Sequence, residues 1–205
     1  MNKILTIDQG TTSSRSIIFN KNGDIEQIAQ EEYPLIFPND GWVEIDPDIL
    51  YESVTSTLNQ LDLEDVKFGG ITNQRETTII WDKETNEPVY NAIVWQDRRT
   101  SAYCSEIAIK QNQSMVKQKT GLLIDPYFSA TKIKWILDNV DGARAKAQAG
   151  QLCFGTVDTY LMYKLSEGKI FKTDITNASR TMLFNINTLD SVSYTHLRAH
   201  ETSTY

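Results

Sequence analysis

Hydroxyl side chains follow a glycine near the start of the chain, in the string DQGTTSSR at residues 8–15. A glycine turn lets backbone N–H groups converge on an anion, and neighbouring hydroxyls add further donors. A carboxylate at a strand end can hold Mg²⁺, usually through water, and a guanidinium can face a phosphate. The string therefore predicts a phosphate site, and the alternative is a hydroxyl-rich hairpin turn with no ligand. The candidate side chains are Thr11, Thr12, Ser13 and Arg15 for the phosphate and Asp8 for the metal.

A polar island, ITNQRETT at residues 71–78, offers a different chemistry. Arg75 carries a planar fork of donors and Glu76 beside it is an acceptor, so the pair suits a neutral polyol whose hydroxyls both donate and accept. The alternative is a salt-bridge loop at the protein surface. Trp95 ends a strand-like run and Tyr127 lies in a turn before a helix. These two aromatic residues are candidates for an apolar wall and a hydroxyl at the same site, or for positions in the core.

Other common catalytic signatures are missing from the sequence. No G-x-G-x-x-G string is present, so a dinucleotide-binding fold lacks its fingerprint. Gly150 and Gly155 have the spacing of P-loop glycines, but Thr156 follows where a lysine is needed. The two histidines, His196 and His200, stand in an atypical C-terminal stretch, and we expect neither a Ser-His-Asp triad nor a metal site from them.

Composition and charge limit the partners of the chain. Its 205 residues are 40% hydrophobic and 23% charged, which is ordinary for a globular protein. The net charge of −7 opposes nucleic acid or an anionic membrane as the main partner, because both attract a surplus of positive charge. No apolar run exceeds four residues, and a membrane helix needs roughly 20. Cys104 and Cys153 have no metal spacing and are predicted to be buried thiols, so we expect a cytoplasmic protein.

These strings alternate with the elements that must position them. Strands are predicted at residues 3–7, 16–19, 25–33, 67–72, 77–81, 88–95 and 152–154. Helices are predicted at residues 46–61, 100–109, 114–119, 129–140 and 156–165. The first helix has the strongest start signal, because Asp46 can cap it and Pro47 suits its first turn. Strands first, then helices with interleaved strands, indicate an α/β domain built on a mixed sheet.

Seven strings along the chain together resemble the FGGY family of carbohydrate kinases, and within it the members that phosphorylate glycerol. They are DQGTTSSR at 8–15, GWVEIDP at 41–47, ITNQRETT at 71–78, NAIVWQ at 91–96, TGLLIDPYFSATKIKWILD at 120–138, FGTVDTYL at 154–161 and TNASRTMLFNINTLD at 176–190. The resemblance implies the actin-like ATPase (ribonuclease H-like) fold, a mixed sheet flanked by helices. It makes residues 1–190 an incomplete N-terminal domain of such a kinase.

The resemblance also implies roles for the candidate residues. Those for the nucleotide phosphates of ATP are Thr11, Thr12, Ser13 and Arg15, and Asp8 would assist Mg²⁺. Those for glycerol are Thr11, Arg75, Glu76, Trp95 and Tyr127, with the indole packing on the carbon backbone. The implied activity is ATP-dependent phosphorylation of glycerol to sn-glycerol 3-phosphate. Two alternative functions are also compatible with the sequence. They are a kinase for another polyol or ketose of the family and a non-catalytic nucleotide-binding module of the actin fold.

The resemblance ends at about Asp190. The second domain, which would bind the adenosine, and the general base would both lie in a part that this chain lacks, so no catalytic residue is expected here. We therefore expect the chain to be inactive alone, and the resemblance leaves open a homo-oligomer of the full-length parent. Residues 191–205 match nothing in the family and are expected to be a disordered or foreign tail.

Overall fold

The computed structural model describes residues 3–110 and 113–192, and the chain divides into two compact units. The first unit comprises Met1–Ile36 and Ile45–Gln74, and the second comprises Phe37–Glu44 and Arg75–Tyr205. No helix within the described residues is long and apolar enough to cross a membrane. Most of the predicted tail, with both histidines, lies outside the described residues.

The first unit is built on a four-stranded mixed sheet. Its strands and helix are β1 (Lys3–Gln9), β2 (Ser13–Phe19), β3 (Ile25–Glu32), α1 (Pro47–Asn59) and β5 (Val66–Asn73), and β4 (Glu44–Ile45) lies at the junction of the two units along the chain. The strand order is β3-β2-β1-β5, in which β1 is antiparallel to β2 and parallel to β5. The predicted mixed sheet is therefore confirmed.

Helix α1 begins where the sequence predicts. The Asp46 carboxylate accepts a hydrogen bond from the Asp48 N–H at 2.9 Å, and Pro47 occupies the first turn. The inner face of the helix combines apolar residues with hydroxyls that meet β2. Ser14 Oγ lies 2.8 Å from Ser53 Oγ, and a matching pair joins Ser16 and Thr57 at 2.7 Å.

Strand β2 is longer than predicted because of those hydroxyl pairs. It begins at Ser13 rather than Ser16, and β1 continues through Gln9. Ser14 and Ser16 are fully buried yet keep hydrogen-bond partners on α1, so a hydroxyl-rich segment can be an inner strand. The turn shrinks to Gly10–Thr12, and Ser13 and Arg15 become strand residues.

The second unit contains the remaining elements. They are β6 (Ile79–Asp82), β7 (Ala92–Ile93), α2 (Ser101–Lys110), α3 (Gln113–Thr120), α4 (Ser129–Asn139), α5 (Ala143–Gln148), β8 (Leu152–Gly155), α6 (Val157–Leu165), α7 (Ile175–Ala178), β9 (Phe184–Asn185) and β10 (Asp190–Ser191). β6 pairs with β8 in antiparallel orientation. One apolar face of α4 enters the core, which contains Ile80, Ile93, Ile133, Ile136, Leu137 and Leu152. Both cysteines are buried free thiols, as predicted.

The predicted elements of the second unit differ from the observed ones mainly in short segments. The strand predicted at 88–95 is reduced to Ala92–Ile93, because the Tyr90 and Asn91 side chains before it hydrogen-bond to the Glu44 carboxylate. Helices α5 and α7 and strands β9 and β10 have no counterpart in the prediction. Each has six residues or fewer, too short to show a period.

Candidate functional site

Three of the predicted phosphate residues, Thr11, Thr12 and Ser13, lie at the tip of the β1–β2 hairpin, and Arg15 follows within β2. Residues 8–15 are called the hydroxyl hairpin below. The Gly10 N–H donates to the Ser13 carbonyl at 2.9 Å and closes the turn. Thr12 is exposed at this tip, and Thr11 and Ser13 are half-buried beside it. The structure therefore gathers three hydroxyl-bearing residues at one accessible turn.

A buried network of uncharged side chains supports the hydroxyl hairpin from below. The Gly10 carbonyl accepts hydrogen bonds from the Tyr33 hydroxyl at 2.5 Å and from Gln74 Nε2 at 3.0 Å. Gln9 Nε2 also donates to this carbonyl, at 2.7 Å, and the Tyr33 N–H donates to the Thr12 carbonyl at 3.0 Å. Burial raises the pKa of the Tyr33 hydroxyl well above its usual range, so this side chain remains a neutral donor.

Sequence reasoning missed this network. The sequence places Gln9 only inside the string DQGTTSSR, and nothing in it singles out Tyr33 or Gln74. The one available signal is topological, because Gln9 ends β1 and Gln74 directly follows β5, and these strands are parallel neighbours. Without that pairing, nothing in the sequence relates the two amides.

Asp8 and Arg15 are directly opposite each other on β1 and β2. Arg15 Nη1 lies 3.8 Å from Asp8 Oδ2, and Arg15 Nε donates to Gln30 Oε1 at 3.1 Å. The Asp8 side chain is 46% exposed. Among the described residues, no group of three or more His, Cys, Asp or Glu side chains could hold a metal. One accessible carboxylate fits Mg²⁺, which keeps several waters and is commonly held by substrate phosphates and one or two carboxylates.

In the second unit, Glu76 is a buried carboxylate with a strained backbone. Its side chain is 3% exposed, and Arg180 Nε donates to its Oε1 at 2.5 Å. Its φ angle is 65°, in the left-handed region that non-glycine residues rarely adopt. Hydroxyl groups of Ser129 and Thr78 donate to its carbonyl oxygen at 3.1 and 3.2 Å.

The predicted aromatic residues stand beside this carboxylate. The rings of Trp95 and Tyr127 are 5.6 Å apart between centroids and inclined at 59°. The Arg180 guanidinium, paired with Glu76, lies 5.5 Å from the Tyr127 ring centroid. Arg180 thus bridges Glu76 and Tyr127, and Trp95 joins them through its contact with Tyr127. Glu76, Trp95, Tyr127 and Arg180 are called the polyol cluster below.

Arg75 has different surroundings from its neighbour Glu76. It is exposed, and within residues 3–110 and 113–192 no hydrogen bond or ion pair engages its guanidinium. It borders an open cavity of about 380 Å³. The other lining residues are Ile175, Thr176, Ser179, Phe184, Ile186 and Leu189. The guanidinium is therefore accessible to a ligand.

Lys132 is a further residue that sequence reasoning passed over. It lies on α4 with no exposed surface, and its Nζ donates to the Tyr127 carbonyl at 2.9 Å and to the Glu76 carbonyl at 3.5 Å. Burial lowers the pKa of its amino group to about 7. The helical pattern predicted α4 but gave no reason to bury this residue.

A buried arginine organises the segment just after Trp95. Arg99 binds Asp97 through Nε at 3.0 Å and Nη2 at 2.9 Å, and its Nη2 also contacts Glu44 Oε1 at 2.6 Å. The guanidinium carbon lies 3.9 Å from the Trp42 ring centroid and 4.5 Å from that of Trp135. All three charged side chains are at most 2% exposed, so one buried guanidinium is shared by two buried carboxylates.

Known proteins with similar sequences point to one family. The model of the FGGY family of carbohydrate kinases, N-terminal domain, matches residues 3–193. A glycerol kinase of Marinomonas sp. (strain MWYL1) is 57% identical over 191 residues, which are 90% of this chain and 39% of the relative. The chain therefore spans about two fifths of the length of such curated relatives.

Solved structures agree on the fold. The crystal structure of Plasmodium falciparum glycerol kinase with ADP has a TM-score of 0.87 and 37% identity, covering 94% of this chain and 40% of that one. A ligand-bound xylulose kinase from Lactobacillus acidophilus, at 21% identity, has a TM-score of 0.83 over 94% of this chain and 38% of its own, which supports the fold alone. The expected actin-like architecture is thus confirmed, and the chain belongs to the FGGY family of carbohydrate kinases, whose N-terminal domain it carries.

Proposed function

We propose that this chain carries the polyol-binding and phosphate-binding residues of a kinase that transfers a phosphoryl group from ATP to glycerol, giving sn-glycerol 3-phosphate. The polyol cluster is the observation that carries the proposal. A buried carboxylate, a phenol and an indole face stand together there. They offer the acceptor, the hydroxyl partner and the apolar wall that a small polyol requires.

On the polyol side, the carboxylate of Glu76 accepts hydrogen bonds from glycerol hydroxyls, and the hydrogen bond from Arg180 orients that carboxylate. The phenol of Tyr127 exchanges a hydrogen bond with another hydroxyl, and Trp95 packs on the carbon chain. Arg75, whose guanidinium is accessible, donates to a glycerol oxygen. One acceptor, one donor and one hydroxyl that can do either can thereby orient a molecule with three hydroxyls.

On the nucleotide side, the hydroxyl hairpin binds phosphate oxygens. The side chains of Thr11, Thr12 and Ser13 donate from the exposed turn. Arg15 faces the phosphates from β2. Asp8 would hold Mg²⁺ through water, and the ion would supply neutralisation of charge on the phosphates during transfer. The rigid network under the turn keeps these donors in place, and phosphoryl transfer depends mainly on such positioning and charge neutralisation.

No residue of this chain is proposed to act as the general base. The base that would accept the proton of the glycerol hydroxyl and the adenosine pocket are expected in a second domain. Because base assistance contributes about 10²–10⁴-fold where it operates, we expect the chain alone to bind its ligands and to turn over little or no glycerol. A cytoplasmic location and a homo-oligomer of the full-length parent stay predictions.

Two other functions remain to be tested against this one. A kinase for another polyol or ketose shares the fold, but the relative at 57% identity is a glycerol kinase, whereas the xylulose kinase structure is 21% identical. A non-catalytic nucleotide-binding module would have no use for the polyol cluster. Both alternatives differ from the proposal in whether glycerol binds.

A ligand titration of the chain separates these functions. All four tryptophans lie in the second unit, so their fluorescence reports on the polyol cluster. We expect saturable quenching or enhancement with glycerol, weaker binding of xylulose, and loss of glycerol binding in Arg75→Ala. Arg144→Ala, which removes an arginine paired with Asp138, is the matched control. Tighter binding of xylulose than of glycerol would overturn the glycerol assignment. Ordinary kinase turnover by the chain alone would overturn the expectation that it carries no general base.

A further inference from the structure

The backbone of Glu76 is held in an unfavourable conformation by groups that approach its carbonyl oxygen. A left-handed backbone at a non-glycine residue costs about 1–3 kcal/mol and persists only where its surroundings impose it. Thr78 supplies one donor from the same loop, and Ser129 and Lys132 supply two more from α4. Helix α4 therefore helps to set the direction in which the Glu76 carboxylate leaves the main chain.

Lys132 differs from the other donors because it reaches a second carbonyl. Its Nζ is 2.9 Å from the carbonyl oxygen of Tyr127 and 3.5 Å from that of Glu76. These acceptors belong to segments far apart in the sequence, and each segment presents one side chain of the polyol cluster. A neutral amine has two N–H donors, enough for two carbonyl oxygens. The lowered pKa of this amino group, about 7, agrees with a neutral amine at alkaline pH.

We propose that Lys132 is a positioning residue of the glycerol site, whose amino group ties the backbone of Glu76 to that of Tyr127 and so sets the spacing between the carboxylate and the phenol. This inference rests on the proposed function. It assigns the amino group a role distinct from filling the core. A methionine would fill similar space without burying an amine, and burial of an amine costs free energy unless its hydrogen bonds repay it.

The direct test replaces the amine by an apolar side chain of similar length. In Lys132→Met the Tyr127 carbonyl loses its donor, whereas the Glu76 carbonyl keeps Ser129 and Thr78, so we expect the variant to fold. Lys134→Met is the matched control, since Lys134 lies on the same helix and pairs with Asp138 at the surface. Circular dichroism and thermal unfolding establish that both variants are folded.

A readout without ligand reports on the position of the carboxylate. The Nε–H of Arg180 donates to Glu76 Oε1, so its proton resonance and its exchange with solvent follow that carboxylate. The Arg180→Met spectrum identifies the signal by its absence. We expect Lys132→Met to shift the signal and to speed its exchange about tenfold, the effect of losing roughly 1.4 kcal/mol of protection. The signal should be unchanged in Lys134→Met, and an unchanged signal in Lys132→Met would overturn the proposal.

A second readout uses glycerol, propane-1,2-diol and propane-1,3-diol as probes. Each diol lacks one hydroxyl, so a correctly spaced carboxylate and phenol should discriminate against at least one of them. We expect Lys132→Met to weaken glycerol binding about tenfold, the scale of one lost hydrogen bond to a polar ligand, and to reduce the preference for glycerol over the diols. A purely structural role would lower thermal stability but leave that preference unchanged.

The outcomes separate this inference from the proposed function. If the wild-type chain binds none of the three probes, the proposed function fails, and the Arg180 signal alone decides whether Lys132 holds the carboxylate. If Lys132→Met moves the Arg180 signal but retains wild-type affinity and preference, the positioning role is overturned while the proposed function stands. Should Lys132→Met not fold, Lys132→Gln takes its place, because its amide is one bond shorter and cannot tie the two carbonyl oxygens together. Wild-type glycerol binding together with an unchanged Arg180 signal in Lys132→Gln would also overturn the positioning role.

Discussion

The hydroxyl hairpin and the polyol cluster are both supported by buried polar side chains, and the two supports differ in charge. Under the hydroxyl hairpin the supporting groups are two amides and a phenol, all neutral. Around the polyol cluster they are an arginine paired with a carboxylate and a lysine amine. Each site is therefore supported by buried polar side chains, but only the support in the second unit includes charged side chains.

The difference matches the ligands proposed for the two sites. A phosphate is negatively charged, so a buried carboxylate below the turn would repel it. Neutral amides and a phenol do not, and backbone N–H groups and Mg²⁺ can then attract the phosphate unopposed. Glycerol is neutral, so a buried ion pair can orient its hydroxyls without opposing its charge. A buried ion is costly when its partner is removed, and we therefore expect the second unit to be far more sensitive to single substitutions.

The largest effect is expected at Arg99. Replacement by Met leaves Asp97 and Glu44 buried without their cation, and breaking such a buried pair costs about 3–5 kcal/mol. Urea unfolding followed by tryptophan fluorescence measures this loss, because all four indoles lie in the second unit. The control is Arg98→Met, whose pair with Asp125 is exposed and is worth less than about 1 kcal/mol. Equal losses in the two variants would contradict the contrast.

Arg180→Met tests the polyol cluster itself. The variant leaves the Glu76 carboxylate buried without the guanidinium that orients it. A hydrogen bond to a charged group is worth about 1.5–3 kcal/mol, so the dissociation constant for glycerol should rise by about 10-fold or more. Isothermal titration of glycerol measures the change, and Arg144→Met should bind like the wild type. If Arg180→Met binds glycerol normally, this ion pair has no part in the site.

Tyr33→Phe tests the neutral support of the hydroxyl hairpin. Loss of the hydroxyl removes one of three donors to the Gly10 carbonyl and a partner of Gln74. Neutral hydrogen bonds contribute about 0.5–1.5 kcal/mol, so ADP affinity should fall by about 10-fold at most. Thr55→Val, which removes an exposed hydroxyl from the same unit, is the control. A drop of similar size in both variants would show that the network does not serve the turn.

The two regions also differ in how far sequence alone could predict them. In the hydroxyl hairpin the relevant residues are consecutive, so one string predicts the turn and the candidate donors together, although both strands extend further into it than predicted. In the polyol cluster the key pair joins Glu76 and Arg180, which are 104 positions apart. Lys132 likewise lies 56 positions from the Glu76 carbonyl that it contacts. Helical periodicity predicted α4, but periodicity contains no information about which loop a helix will meet.

A more gradual effect is expected in the pH dependence of the second unit, and Lys132 is its source. Burial holds the pKa of this amine at about 7, against 10.5 for an ordinary lysine. The charged groups that act on it are the carboxylates of Asp97, Glu76 and Asp125 and the guanidinium of Arg99. Between these pKa values the unfolded chain binds more protons than the folded one, so the free energy of unfolding rises with pH.

Urea unfolding of the wild type and of Lys132→Met between pH 6 and pH 9 isolates this contribution from that of all other groups. The wild type should gain stability relative to the variant above pH 7, by at most about 1.4 kcal/mol per pH unit for one proton. Below pH 7 the difference should level off, because both states of the wild type are then protonated. Parallel curves across the whole range would mean that Lys132 keeps its charge on folding. The support of the polyol cluster would then consist of ions only, and its contrast with the neutral support of the hydroxyl hairpin would be sharper still.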